Sequence, residues 1–114
     1  MSQPDPKLND HPPVWNAVID MLKDSDDEIN KLMVLDMRKR HRKGMETYGV
    51  PLQPFNGRDA LVDAYEEVLD LCVYLKQAEI ETGDHDSAEL IGALAIAQLL
   101  RYKLYQRKNS EWSG

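Results

Sequence analysis

Apolar positions recur along the chain at steps of three and four, and no segment shows the period of two that a strand requires. The pattern divides into four helical stretches. Pro12 and Pro13 suit the first turn of a short helix over about 13–23, which carries Val14, Trp15, Val18, Ile19 and Leu22. Ser25-Asp-Asp-Glu28 is a capping-box pattern. The helix it opens runs to about Tyr48, where Gly49 supplies a C-cap and Pro51 blocks continuation. Residues 49–57, rich in Gly and Pro, form a loop on composition. A third helix spans about 58–82 and stops at Gly83. Asp86-Ser-Ala-Glu89 is a second capping box and opens a last helix of about 87–107.

The fold class this predicts is all-α: a helical bundle of three main helices plus a short N-terminal helix. Residues 1–11 read as a flexible N-terminal lead, 12–108 as a single all-α domain and 109–114 as a tail, in which Trp112 is a candidate to dock. The third helix is apolar around everything except one stripe. The last helix has apolar or small residues over most of its surface, including Gly92-Ala-Leu-Ala-Ile-Ala97. Helices of this kind must be enclosed. A chain of 114 residues cannot enclose two of them well. Completion of the bundle by oligomerisation, as a homodimer or homotetramer, is therefore expected.

The polar stripe on the third helix is acidic. At 100° per residue, Asp59, Asp63, Glu66, Glu67 and Asp70 share one face, and Tyr74, Gln77 and Glu81 continue it. No Lys or Arg stands within it. Like charges at i, i+4 destabilise an exposed helix by about 0.2–0.5 kcal/mol per pair. A hard divalent cation reverses that sign, and Mg²⁺ takes a few carboxylates and completes its shell with water and substrate phosphates. Glu67 and Asp70, three residues apart, can reach one ion; Glu66 beside them can support a second ion or hold a water. The plainer alternative is a solvated face, or a non-catalytic helical interaction module whose acids dock a basic partner.

Composition narrows the choice. A net charge of −6, from 14 basic and 20 acidic residues, argues against a nucleic-acid partner. The single cysteine, Cys72, excludes an intrachain disulfide and reads as a small buried hydrophobe. No signal peptide or membrane-length apolar run is seen, so a cytoplasmic protein without membrane contact is expected. The run Arg38-Lys-Arg-His-Arg-Lys43 spreads around its helix, and most of it reads as solvated, with a few salt bridges to the acids. A short loop between the two long helices makes them expected neighbours, which would bring part of this run to the acid stripe. Carboxylates, a metal and one or two Lys or Arg residues make a phosphate site. Arg40, Lys43 and Arg58 are the candidates. His41 reads as a surface residue, and His11 and His85 carry no signal. Trp15, Tyr48, Phe55, Tyr74 and Trp112 are candidates for stacking on a base, Tyr74 above all because it extends the acid stripe. There is no Gly-rich phosphate loop and no nucleophile elbow.

The string Glu66-Glu67-Val-Leu-Asp70-Leu-Cys-Val-Tyr74-Leu resembles the second metal helix of the MazG-like, all-α nucleoside triphosphate pyrophosphohydrolases. The longer stretch from Lys43-Gly-Met-Glu-Thr-Tyr48-Gly-Val-Pro-Leu52 through Asn56-Gly-Arg-Asp59 to Glu67 is similar to small phage-encoded, MazZ-type members, which act on purine deoxynucleotides. The resemblance covers about residues 31–80. It implies an α-helical bundle assembled as dimers or tetramers. It also implies Mg²⁺- or Mn²⁺-dependent hydrolysis between the α- and β-phosphates, yielding a nucleoside monophosphate and pyrophosphate. Glu67 and Asp70 match the metal ligands of the second motif, and Glu66 its neighbouring acid. The family's usual Glu-Glu-x-x-Glu on the preceding helix is missing. Asp27-Glu28-Ile-Asn-Lys31 is its nearest imitation. Glu46, Asp36 or Asp63 could stand in for the absent ligand.

The function expected from the residues and the resemblance together is a metal-dependent hydrolase. It would convert a (d)NTP, such as the purine nucleotides dGTP or dATP, to the monophosphate. Glu66 and Glu67 would be catalytic. Glu67, Asp70, Glu66, Asp63 and Glu46 would be the metal set. Arg40, Lys43, Arg58 and Tyr74 would bind substrate. A hydrolase of the all-α dUTP type is the alternative within enzymes.

Overall fold

Four helices follow one another in the computed structural model, which describes the backbone of residues 3–113 and the side chains of residues 3–107. They are α1 (Val14–Leu22), α2 (Glu28–Tyr48), α3 (Ala60–Thr82) and α4 (Ala88–Ser113). No strand occurs among the described residues. The all-α class read from the periodicity is therefore the class observed.

The helix ends show which local chemistry won. Gly49 (φ 74°) and Gly83 (φ 76°) end α2 and α3 in the left-handed conformation, where a missing Cβ removes the steric penalty. The start of α2 differs from the capping-box expectation. Its N-cap is Asp27, whose Oδ1 accepts hydrogen bonds from the backbone N–H of Ile29 (2.8 Å) and Asn30 (3.1 Å). Ser25 Oγ is committed one turn earlier, accepting from Asp27 N and Asn30 Nδ2. Asp27 also places a carboxylate at the positive end of the helix. Ser87, not Asp86, caps α4: its Oγ accepts from Leu90 N at 3.2 Å. The backbone of α4 stays helical past its expected end near 107, through 109–113. The docking expected of Trp112 lies outside the described side chains.

The chain divides into two compact units, residues 1–58 and 59–114. In the first, α1 packs on α2 around Ile19 and Val34. In the second, α3 and α4 form an antiparallel hairpin. Its seam follows the three-and-four spacing of a helix pair: Tyr65, Val68, Cys72 and Leu75 from α3 meet Ala93, Ala97 and Leu100 from α4. Cys72 is half-buried against this cluster, which agrees with its reading as a small apolar residue.

Polar contacts clasp the hairpin at both ends. At the turn, the buried Glu79 carboxylate accepts from the Ser87 hydroxyl (2.7 Å), Ser87 N (3.1 Å) and Lys76 Nζ (3.2 Å). The Ser87 hydroxyl, foremost, and then the Ser87 N–H and Lys76 hold this carboxyl below its ordinary value of 4.5, against the opposing effect of burial. A depressed folded value means that stability from Glu79 is complete above the unfolded value. It is lost as the pH falls from there through the folded value. Glu79→Gln is expected to melt several degrees lower at neutral pH and to lose part of the acid-side slope of Tm; melting curves between pH 3 and 7 check both. At the far end, Arg107 donates from Nη1 and Nη2 to both Asp59 oxygens at 2.8–3.2 Å. Asp59 is also the N-cap of α3, accepting from Leu61 N and Val62 N.

Among the described residues no large side chain is fully buried. The face of α4 turned away from α3 carries Ile91, Ala95, Leu99 and Tyr102 in one line, all exposed. Leu69, Leu71 and Val73 are exposed on α3. Among the described residues, no helix is long and apolar enough to cross a membrane.

Candidate functional site

The seam residues fix where the acids of α3 point. Tyr65, Val68, Cys72 and Leu75 face α4, so at 100° per residue Asp63, Glu66, Glu67 and Asp70 lie on the opposite side of the helix. Glu66, Glu67 and Asp70 are exposed and make no hydrogen bond or ion pair among the described residues. Tyr74 is exposed one turn further on. Exposed Leu69 and Val73 border this face on one side and Leu71 on the other. The result is a strip of free carboxylates set between apolar margins, on a helix that is anchored from behind.

Not every acid of the sequence stripe belongs to this strip. Asp59 is drawn into the N-cap and the Arg107 pair. Asp63 is half-buried and engaged in a polar contact of its own. Arg107 was missed as a neutralising partner. It was nonetheless legible, because a hairpin closed over residues 83–87 brings the end of α4 back to the start of α3.

No group of three or more His, Cys, Asp or Glu side chains converges as a metal site among the described residues. The donor chemistry of Glu67 and Asp70 still fits a hard cation. Mg²⁺ is commonly held by one or two carboxylates and completed by water and substrate phosphates rather than by an all-protein cage.

The remaining site residues named from the sequence lie in the first unit. Glu46, Arg40 and Lys43 are exposed on α2. None of the run Arg38–Lys43 makes an ion pair among the described residues, in contrast to the few salt bridges expected of it. Arg58 is half-buried; its N–H donates to Asn56 Oδ1 and its Nη1 to the Pro4 carbonyl.

The first unit also holds a polar node that the sequence did not announce. Composition reads residues 1–11 as a flexible lead, but residues 7–11 are tied to the 52–56 loop. The buried Gln53 donates from Nε2 to the carbonyls of Asn9 and His11, both at 2.7 Å, and accepts from Asn9 N. Asn9 Nδ2 donates to the carbonyls of Pro54 (2.8 Å) and Phe55 (3.2 Å). Lys7 N donates to the carbonyl of the buried Asn56, and Val14 N to that of Leu52. At the apex of this latched loop stands Phe55, with φ at 56° and 82% of its surface exposed. A bulky residue in the left-handed region costs about 1–3 kcal/mol. Burial of the ring cannot offset that cost, because the ring is not buried. Its ring neighbour among the described residues is His11, with centroids 4.8 Å apart and planes tilted by 43°.

No protein-family model, curated protein or solved structure matches the chain.

Proposed function

We propose that the protein is a metal-dependent nucleoside triphosphate pyrophosphohydrolase that works as a homo-oligomer. The observation that carries this reading is the strip of exposed carboxylates, Glu66, Glu67 and Asp70, without partners among the described residues, on the outer face of α3. The same string carries the resemblance to MazG-like enzymes. Glu67 and Asp70 would hold Mg²⁺ or Mn²⁺, which when bound supplies positive charge to the substrate phosphates. Glu66 or Glu46 accepts the proton of the attacking water. The water oxygen bonds to phosphorus at the α–β anhydride, the bridging P–O bond breaks, and pyrophosphate leaves with the electron pair. Arg40, Lys43 and Arg58 are the phosphate clamps of this reading. Asp63, half-buried on the same side of the helix, and Glu46 would be the further members of the metal set.

Oligomerisation rests on a second observation. A hairpin with no large side chain fully buried among its described residues, and with Ile91, Ala95, Leu99 and Tyr102 along its outer face, has the character of half of a four-helix bundle. A second copy of the chain is the occupant that completes it.

The experiment is pyrophosphate detection with Mg²⁺ or Mn²⁺ and a panel of NTPs and dNTPs. Turnover that requires the metal supports the reading. An absence of both turnover and metal-plus-nucleotide stabilisation would favour an interaction module instead.

A further inference from the structure

We infer that Phe55 and His11 form a stacking platform for the base of a nucleotide. Phe55 is placed as a residue that recognises a base would be. Its ring is exposed at a loop apex, and its backbone holds a left-handed conformation that is strained for a bulky residue. The loop beneath it is latched by the buried Gln53 and Asn56 and the half-buried Asn9, whose polar groups are paired. His11 adds a second ring at an angle, making an open aromatic corner instead of a packed pair. Two basic residues lie close along the loop: the Lys7 stem runs next to Gly57, and Arg58 follows three residues after Phe55. An aromatic corner with flanking cations matches a planar heteroaromatic ring that carries an anion, which is the chemistry of a nucleotide. The inference rests on the pyrophosphohydrolase reading only for the choice of nucleotide as the ring-bearing ligand.

The chain contains one phenylalanine, so NMR of ring-labelled phenylalanine reports on Phe55 alone. Full-length protein is titrated with dGMP, dAMP and dTMP, and with 2-deoxyribose 5-phosphate as the base-free control. The nucleotides are expected to move the Phe55 ring resonances upfield; the sugar phosphate is expected to leave them in place. Glycine accepts the left-handed conformation. Phe55→Gly should therefore melt no lower than the wild type while losing roughly five- to a hundredfold in dGMP affinity. Unmoved ring resonances with all three nucleotides would overturn the platform. So would unchanged dGMP affinity in Phe55→Gly. Pyrophosphate release is scored separately. Turnover with a silent Phe55 overturns the platform and leaves the enzyme standing. Upfield shifts without turnover support the platform and remove the enzyme.

Discussion

Glu67→Gln is expected to reduce pyrophosphate release by at least about 100-fold while leaving the fold and the oligomer intact. A metal ion contributes several kcal/mol of charge stabilisation at a phosphoryl group, and each 1.36 kcal/mol is a factor of ten in rate. Glutamine keeps the shape of the side chain and removes the charge that would bind the proposed cation. Stability should change by no more than about 0.5 kcal/mol, because Glu67 is exposed and holds no partner among the described residues. The loss is thus predicted in kcat with an unchanged melting curve in metal-free buffer. Wild-type turnover in the variant would remove Glu67 from the mechanism.

Leu99→Glu should have the largest effect on assembly. On an isolated hairpin Leu99 is an exposed surface residue, and its replacement would move stability by no more than about 0.5 kcal/mol. In a four-helix bundle closed by a second copy, the same glutamate is buried without a partner, which costs several kcal/mol. Sedimentation is expected to show a shift from oligomer to monomer. Tm should fall by more than about 10 °C and, in the wild type, should rise with protein concentration. A monomeric wild type, or an oligomeric variant with unchanged Tm, would place the interface elsewhere.

How much of this was legible in the sequence varies with the range of the interaction. Gly49 and Gly83 ended their helices as read, because a C-cap depends on one residue's freedom at positive φ. The N-caps of α2 and α4 lie two residues and one residue beyond those the capping boxes predict. Ser25 and Asp27 are both good caps, and only the geometry of the preceding turn chooses between them. Glu79 could be placed on the apolar side of α3 by its spacing from Cys72 and Leu75. Its partner Ser87, however, comes from the following turn. The latch between Asn9 and Gln53 spans 44 residues between two loops, where no periodicity carries information. The strip Glu66, Glu67 and Asp70 was legible because helical spacing alone fixes which residues share a face. No such rule assigns a partner to Arg40, Lys43 or Arg58, because what a cation faces depends on tertiary packing and not on spacing within one helix.

The central claim is that this carboxylate strip supports hydrolysis of a nucleoside triphosphate. It is tested most directly by following products from all canonical NTPs and dNTPs, with Mg²⁺, with Mn²⁺ and with chelator, for wild type and Glu67→Gln in parallel. Pyrophosphate and nucleoside monophosphate in equal amounts, formed only with metal and only by the wild type, is the expected result. Release of orthophosphate, or no turnover of any nucleotide by the wild type, would contradict it.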